Sequence, residues 1–191
     1  MDTLAREFSI SSRDEVVALC KQIAEIMYRE LEQNPKKNRP IIISLQSRDN
    51  AGKSAFWDII REHLFIKGGI FVKKHSSSSQ ESGRVYETWV GKTRPDGRDI
   101  RLLNCNVGAL MYEHMALFSI NTFYKILGKG TDIPQYDIII LSKSDPQFIE
   151  PTFHTLEISI CDLGGNYPKN WLRKIEYITP KGSPFSNLFH Y

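Results

Sequence analysis

Cysteine is scarce in this 191-residue chain, and the three present, Cys20, Cys105 and Cys161, share no CxxC spacing. An odd, scattered set excludes a disulfide framework and a zinc knuckle, and fits reduced, buried thiols in a cytosolic protein. Long apolar runs are missing as well. None approaches the roughly 20 residues that cross a bilayer, so no membrane attachment is expected. The amino terminus, MDTLAREFSISSRDE, is charged from its second residue and lacks the apolar segment of a secretory signal, which gives a cytoplasmic expectation. The five histidines show no i, i+4 pairing and no neighbouring cysteine, so no zinc site is expected. Charge of one sign is also lacking: 25 Lys+Arg stand against 22 Asp+Glu, a net +3. That balance is too even for a surface that coats nucleic acid throughout.

Hydrophobic residues make up 41% and aromatics 11% of the chain, enough to bury a core and to exclude a disordered scaffold. The length fits one medium domain, read as residues 1–180, followed by a tail at 181–191. The small positive excess is local. Residues 68–110 hold 7 Lys+Arg and 4 Asp+Glu, while the flanking segments nearly balance. A surface facing phosphates fits that placement.

An extended stretch over Phe8 to Ile10 leads to Ser12 and Glu15, which have the spacing of a capping box. Val16, Cys20, Ile23, Met27 and Leu31 then recur at helical spacing until Asn34-Pro35, predicting one long amphipathic helix. The unbroken apolar runs Pro40 to Leu45 and Tyr136 to Leu141 suit strands buried on both faces. A helix over Ala55 to Phe65 follows the first of them and ends at Gly68-Gly69. Beyond a strand at Ile70 to Val72, residues Lys73 to Gly83 read as a polar loop. Alternation over Arg84 to Val90 and Asp99 to Cys105, around Pro95-Asp96-Gly97, predicts a hairpin. Met111 to Leu127 carries a helical pattern, and Thr155 to Ile160 and Leu172 to Ile178 alternate like flanking strands. Together these predict an α/β fold, a central, mostly parallel sheet with helices on both faces and added antiparallel strands, and the segment after the first buried strand makes it the P-loop NTPase type.

The segment between the first buried strand and its helix reads Ser47-Arg48-Asp49-Asn50-Ala51-Gly52-Lys53-Ser54. This is the phosphate-loop pattern GxxxxGK[ST] with Ser47 at the first glycine position. A flexible backbone at Gly52 lets successive N–H groups surround phosphate oxygens at a positive helix terminus. The candidate ATP site is therefore Ser47, Asn50, Ala51, Gly52, Lys53 and Ser54, with Lys53 reaching the β- and γ-phosphates and Ser54 holding Mg²⁺. A side chain at Ser47 crowds the tight turn that glycine normally makes. Hydrolysis also requires acids for the metal and the attacking water. The nearest carboxylate after the second buried strand is Asp145, four residues beyond it, and this is the candidate catalytic acid. Asp137 opens that strand and reads as a solvated strand-end residue. Asn106 is a second metal candidate through its amide carbonyl, but it brings no charge and cannot act as a general base.

These features, in this order, resemble the TsaE family, the ATPase subunit of the bacterial tRNA threonylcarbamoyladenosine machinery. The family's loop GDLGAGKT resembles SRDNAGKS at 47–54, and its serine- and threonine-containing switch resembles Ser76 to Ser79. Its HxDLYRL strand resembles Asn104 to Leu110, and its apolar strand ending in EWPE resembles Ile138 to Pro146. The closing strands resemble Leu156 to Ile160 and Arg173 to Ile178. The likeness runs over roughly residues 5–180, but only AGKS is specific in letters. It implies ATP and Mg²⁺ as ligands, the proteins of a tRNA-modifying complex as partners, and tRNA reached through that complex. The family's metal-holding Asp falls on Asn106, its following Glu on Ser142 and its His on Asn104, which implies weakened or lost hydrolysis, with Asp145 as the substitute acid.

Two other classes fit parts of the pattern. One is a catalytically inactive nucleotide-binding or protein-interaction module; the other is a small-molecule kinase with Arg94, Arg98 and Arg101 as a lid. Trp57, Trp89 and Cys105 read as packing residues. The Ser76 to Ser79 run reads as a linker or a switch, and the aromatic carboxyl end as a docking tail or an arm folded over the core.

Overall fold

The computed structural model describes residues 2–33, 40–47, 52–68, 71–79, 83–92, 99–106, 136–142, 154–163 and 172–188. Strand β1 (Thr3–Ile10) leads to helix α1 (Arg13–Gln33), whose start is set locally. Ser12 Oγ accepts from Glu15 N at 3.3 Å, while the Glu15 carboxylate reaches back to Ser11 N at 2.6 Å. The capping box predicted from spacing is thus closed one residue further out, on Ser11 instead of Ser12. That bond, the largest influence on Glu15, holds its carboxyl below the usual carboxylate range. Val16, Leu19, Cys20, Ile23, Met27 and Leu31 of α1 are buried, as the helical period requires.

Strand β2 (Ile41–Ser47) precedes helix α2 (Lys53–Gly68), followed by β3 (Phe71–Ser79), β4 (Gly83–Lys92), β5 (Asp99–Asn106), β6 (Ile138–Ser142), β7 (Thr155–Asp162) and β8 (Arg173–Pro180). They form one eight-stranded sheet in the order β1-β8-β7-β2-β6-β5-β4-β3. The four central strands, β7, β2, β6 and β5, are mutually parallel. The pairs β1–β8, β7–β8, β3–β4 and β4–β5 are antiparallel. The sheet is therefore mixed, where a mostly parallel one was predicted. Strands joined by a few residues, such as β3 to β4, can only fold back on one another, and parallel pairing needs a longer crossover.

The expected polar loop at Lys73 to Gly83 is another difference. Its first part is strand β3 through Ser79, at the sheet edge, with a register shift between Ser77 and Ser78. Serines have weak strand preference, but a β4 partner supplies the ladder bonds that propensity leaves out. The helix predicted over Met111 to Leu127 and the proposed lid residues Arg94 and Arg98 lie outside the described residues.

Among the described residues, both helices lie on one face of the sheet. The core joins Cys20, Ile23 and Met27 of α1 and Trp57, Ile60 and Leu64 of α2 to Ile41, Ile43, Leu45, Ile138, Ile140 and Leu102. The alternate residues Ile42, Ser44, Leu103, Cys105, Ile139 and Leu141 are buried as well, so the central strands are covered on both sides. The carboxyl end is an arm folded into the core. A short 3-10 helix, Pro184–Asn187, starts at Ser183, whose Oγ accepts from Phe185 N. Phe185 and Leu188 are fully buried, and Tyr177 Oη donates to the Leu188 carbonyl at 3.1 Å. No helix among the described residues is long and apolar enough to cross a membrane.

Candidate functional site

Strand β2 lies between β6 on one side and β7 on the other, although β6 and β7 follow one another in the chain. The order reverses at β2, and in open α/β sheets ligands bind outside the carboxyl ends of the strands at such a switch point. Ser47 is the last residue of β2, and it pairs with Ile160 of β7. Register places Leu45, Ser142 and Asn106 side by side on β2, β6 and β5. Residues opposite one another share a face, so Ser47, Ser142 and Asn106 all stand at the carboxyl edge on the side that carries the helices.

Gly52 has φ +95°, a conformation that side-chain-bearing residues rarely adopt. Its carbonyl accepts from Phe56 N at 3.0 Å and so begins α2. The glycine turns the chain into the helix, and Lys53 is the first helical residue. The Lys53 side chain folds back onto the strand: Nζ donates to Ser47 O at 3.1 Å and to Ser47 Oγ at 2.6 Å. Only 9% of Lys53 is exposed. A cation held at a helix amino terminus, against the unfavourable end of the dipole, runs opposite to what stability alone selects. An anion at the same place would complement the ammonium and the first-turn N–H groups together.

Ser54 follows in the first turn of α2, with its side chain exposed. The structure thus brings Ser47, Gly52, Lys53 and Ser54 together, with Ser142 and Asn106 on the adjoining strand ends. Asn50, Ala51 and Asp145 lie outside the described residues. Asp137 stands at the opposite end of the sheet, where its carboxylate accepts from Arg101 N at 2.9 Å. Among the described residues no group of three or more His, Cys, Asp or Glu could hold a metal ion.

Two acids were not singled out by sequence reasoning. Glu87 of β4 is 2% exposed, opposite Asn104 on β5, and Arg61 of α2 reaches it at 3.9 Å. Arg61 also pairs with Asp58 at 3.2 Å and lies 5.2 Å from the Trp89 ring centroid, so this cluster ties α2 to β4. The signal was available, because alternation in Val85-Tyr86-Glu87-Thr88-Trp89 puts Glu87 in phase with Trp89, on the helix side. Asp162 is the second. It closes β7 two residues past the partner of Ser47, at the same edge of the sheet. The strand was expected to stop at Ile160, which hid an acid at a strand end.

The buried thiols are poor nucleophiles. Burial alone pushes the Cys105 thiol up to about 12 and the Cys20 thiol higher still. Cys20 Sγ lies 3.6 Å from the Phe56 carbonyl and joins α1 to α2.

No family model matches the chain, and no curated protein matches it in sequence. A solved structure described as YdiB of Bacillus subtilis aligns with 94% of this chain and 88% of its own, at a TM-score of 0.46 and 14% identity. A likeness of that degree carries no argument about activity.

Proposed function

We propose that this chain binds ATP with Mg²⁺ at the carboxyl end of β2, as a divergent TsaE-like P-loop protein whose hydrolysis is weak or lost. The observation that carries this is Lys53: a nearly buried ammonium at a helix amino terminus, joined to the end of a parallel strand through a glycine with positive φ. The residues fit phosphates, since Lys53 and the first turn of α2 supply donors and positive potential at one spot. The cation is less fully provided for. Ser54 would hold it together with the nucleotide's own phosphates, and Asn106 would add at most a neutral carbonyl. Bound Mg²⁺ supplies charge neutralisation of the phosphates. Asp145 is the carboxylate proposed to serve the attacking water where turnover occurs. On the TsaE resemblance, the partners would be proteins of a tRNA-modifying complex, with tRNA reached through them.

A calorimetric titration with ATP and Mg²⁺ tests this directly. Binding is expected in the parent protein and a loss of at least ~100-fold in Lys53→Ala, since two charge-assisted contacts are removed. No binding in the parent overturns the nucleotide assignment, and phosphate release at a typical P-loop rate, abolished in Asp145→Asn, overturns the claim of weakened hydrolysis.

A further inference from the structure

Among the described residues, Leu163 and Leu172 are the large hydrophobic side chains left exposed, at 51% and 38%. They are neighbours, since Leu163 N donates to the Leu172 carbonyl at 3.3 Å. Leu163 follows the last residue of β7 and Leu172 precedes the first of β8, so both stand at the carboxyl edge of the parallel strands. That edge also carries Ser47 and the start of α2. Strand β7 lies directly beside β2, and Ser47 pairs with Ile160. Three residues of rise and one strand spacing put Leu163 roughly 11 Å from Ser47.

We infer that Leu163 and Leu172 form the apolar contact for the base of the bound nucleotide. The inference rests on the nucleotide assignment above. With the phosphates at Lys53 and the first turn of α2, the ribose and base extend away from that point, over a distance that reaches the β7–β8 end. A single exposed leucine is ordinary on a protein surface. Two adjacent ones at the edge that carries the site are not scattered in that sense, and each gains by leaving water. The pair is far too small for a protein partner, which takes about 800 Å² from each side, whereas the face of one base covers it. Small-ligand sites combine a few polar groups that orient with apolar side chains that cover. Here the orienting groups lie at the phosphate end and the covering ones at the hairpin. A leucine side chain has neither donor nor acceptor, so this contact adds affinity for a nucleotide over a bare phosphate chain.

The test is a pair of titrations, ATP with Mg²⁺ and inorganic tripolyphosphate with Mg²⁺, on the full chain and on Leu163→Ser, Leu172→Ser, the double variant, Leu163→Met and Lys53→Ala. Covering the exposed part of one leucine is worth about fivefold, so each serine should weaken ATP by that much and the double variant by at least about tenfold. Tripolyphosphate, which has no base, should change by less than about twofold in the same proteins. Leu163→Met keeps the apolar volume and should bind ATP as the parent does. Lys53→Ala should weaken both ligands. A merely structural role for the leucines would also move both together. Unchanged ATP binding in the double variant, or equal losses for ATP and tripolyphosphate, with Lys53→Ala still weakening both, overturns the base contact and leaves the phosphate site standing. No binding of either ligand by the parent, or binding indifferent to Lys53→Ala, overturns the nucleotide assignment and the base contact with it.

Discussion

The carboxyl-terminal arm offers a direct test of how this domain is held together. Phe185 is fully buried in the cluster that contains Ile23 and Met27 of α1 and Tyr177 of β8, and it lies outside the helices and strands that carry most of the core. Phe185→Ala removes a whole ring from a close-packed site, which typically costs ~3–5 kcal/mol. It also loosens the turn, because Phe185 N is held by Ser183 Oγ, and Ser183 Oγ accepts from Thr179 Oγ1 at 2.9 Å. For a domain of this size each kcal/mol moves the midpoint by about 2–4 °C, so a fall of roughly 10 °C is expected in a thermal melt followed by circular dichroism. Phe185→Leu, which keeps most of the volume, should recover the larger part of that loss. A melt within about 2 °C of the parent for Phe185→Ala would refute the packing argument. It would return the segment to the alternative of a docking tail.

The remaining predictions concern the thiols, the alkaline limit and the α2–β4 tie. Cys161 is exposed while Cys20 and Cys105 are buried, so a thiol reagent at pH 8 should label one cysteine per native chain and three after denaturation. Both buried thiols have raised folded pKa values, so their contribution is fully present below the unfolded thiol pKa and is lost as pH rises. Above about pH 9, urea-measured stability should fall by ~1.4 kcal/mol per pH unit for each thiol, and Cys105→Ala should remove one share of that slope. Arg61→Ala withdraws a cation from the buried Glu87 and from the Trp89 ring; a loss of about 3 kcal/mol is expected by urea titration. Unchanged stability there would mean that the cluster does not hold α2 to the sheet.

The parts of the site that could be read in advance are those encoded within a few residues. Gly52-Lys53-Ser54 after an apolar run and before a helical one is a local pattern, and strand β2 and helix α2 lie on either side of it. Asn106 and Ser142 were placed at strand ends by the same logic, and register sets them level with Leu45. What local reading missed was the extent of strands. β3 continues through the serines because β4 pairs with it, and β7 continues to Asp162 because β8 does. A cross-strand partner is distant in sequence, so its contribution to strand length cannot be seen in either segment alone.

The helix start at Ser12, the buried character of β2 and β6 and the phosphate-loop spacing are written into short stretches of chain, because capping, periodicity and turn chemistry act over one or two turns. That the sheet is mixed, that its order reverses at β2 and that Phe185 belongs to the core follow from contacts between distant segments. Such contacts also decide where the Lys53 ammonium goes. A lysine side chain has no sequence signal for its direction. The 2.6 Å contact to Ser47 exists because the end of β2 and the start of α2 are held together by packing across the whole domain.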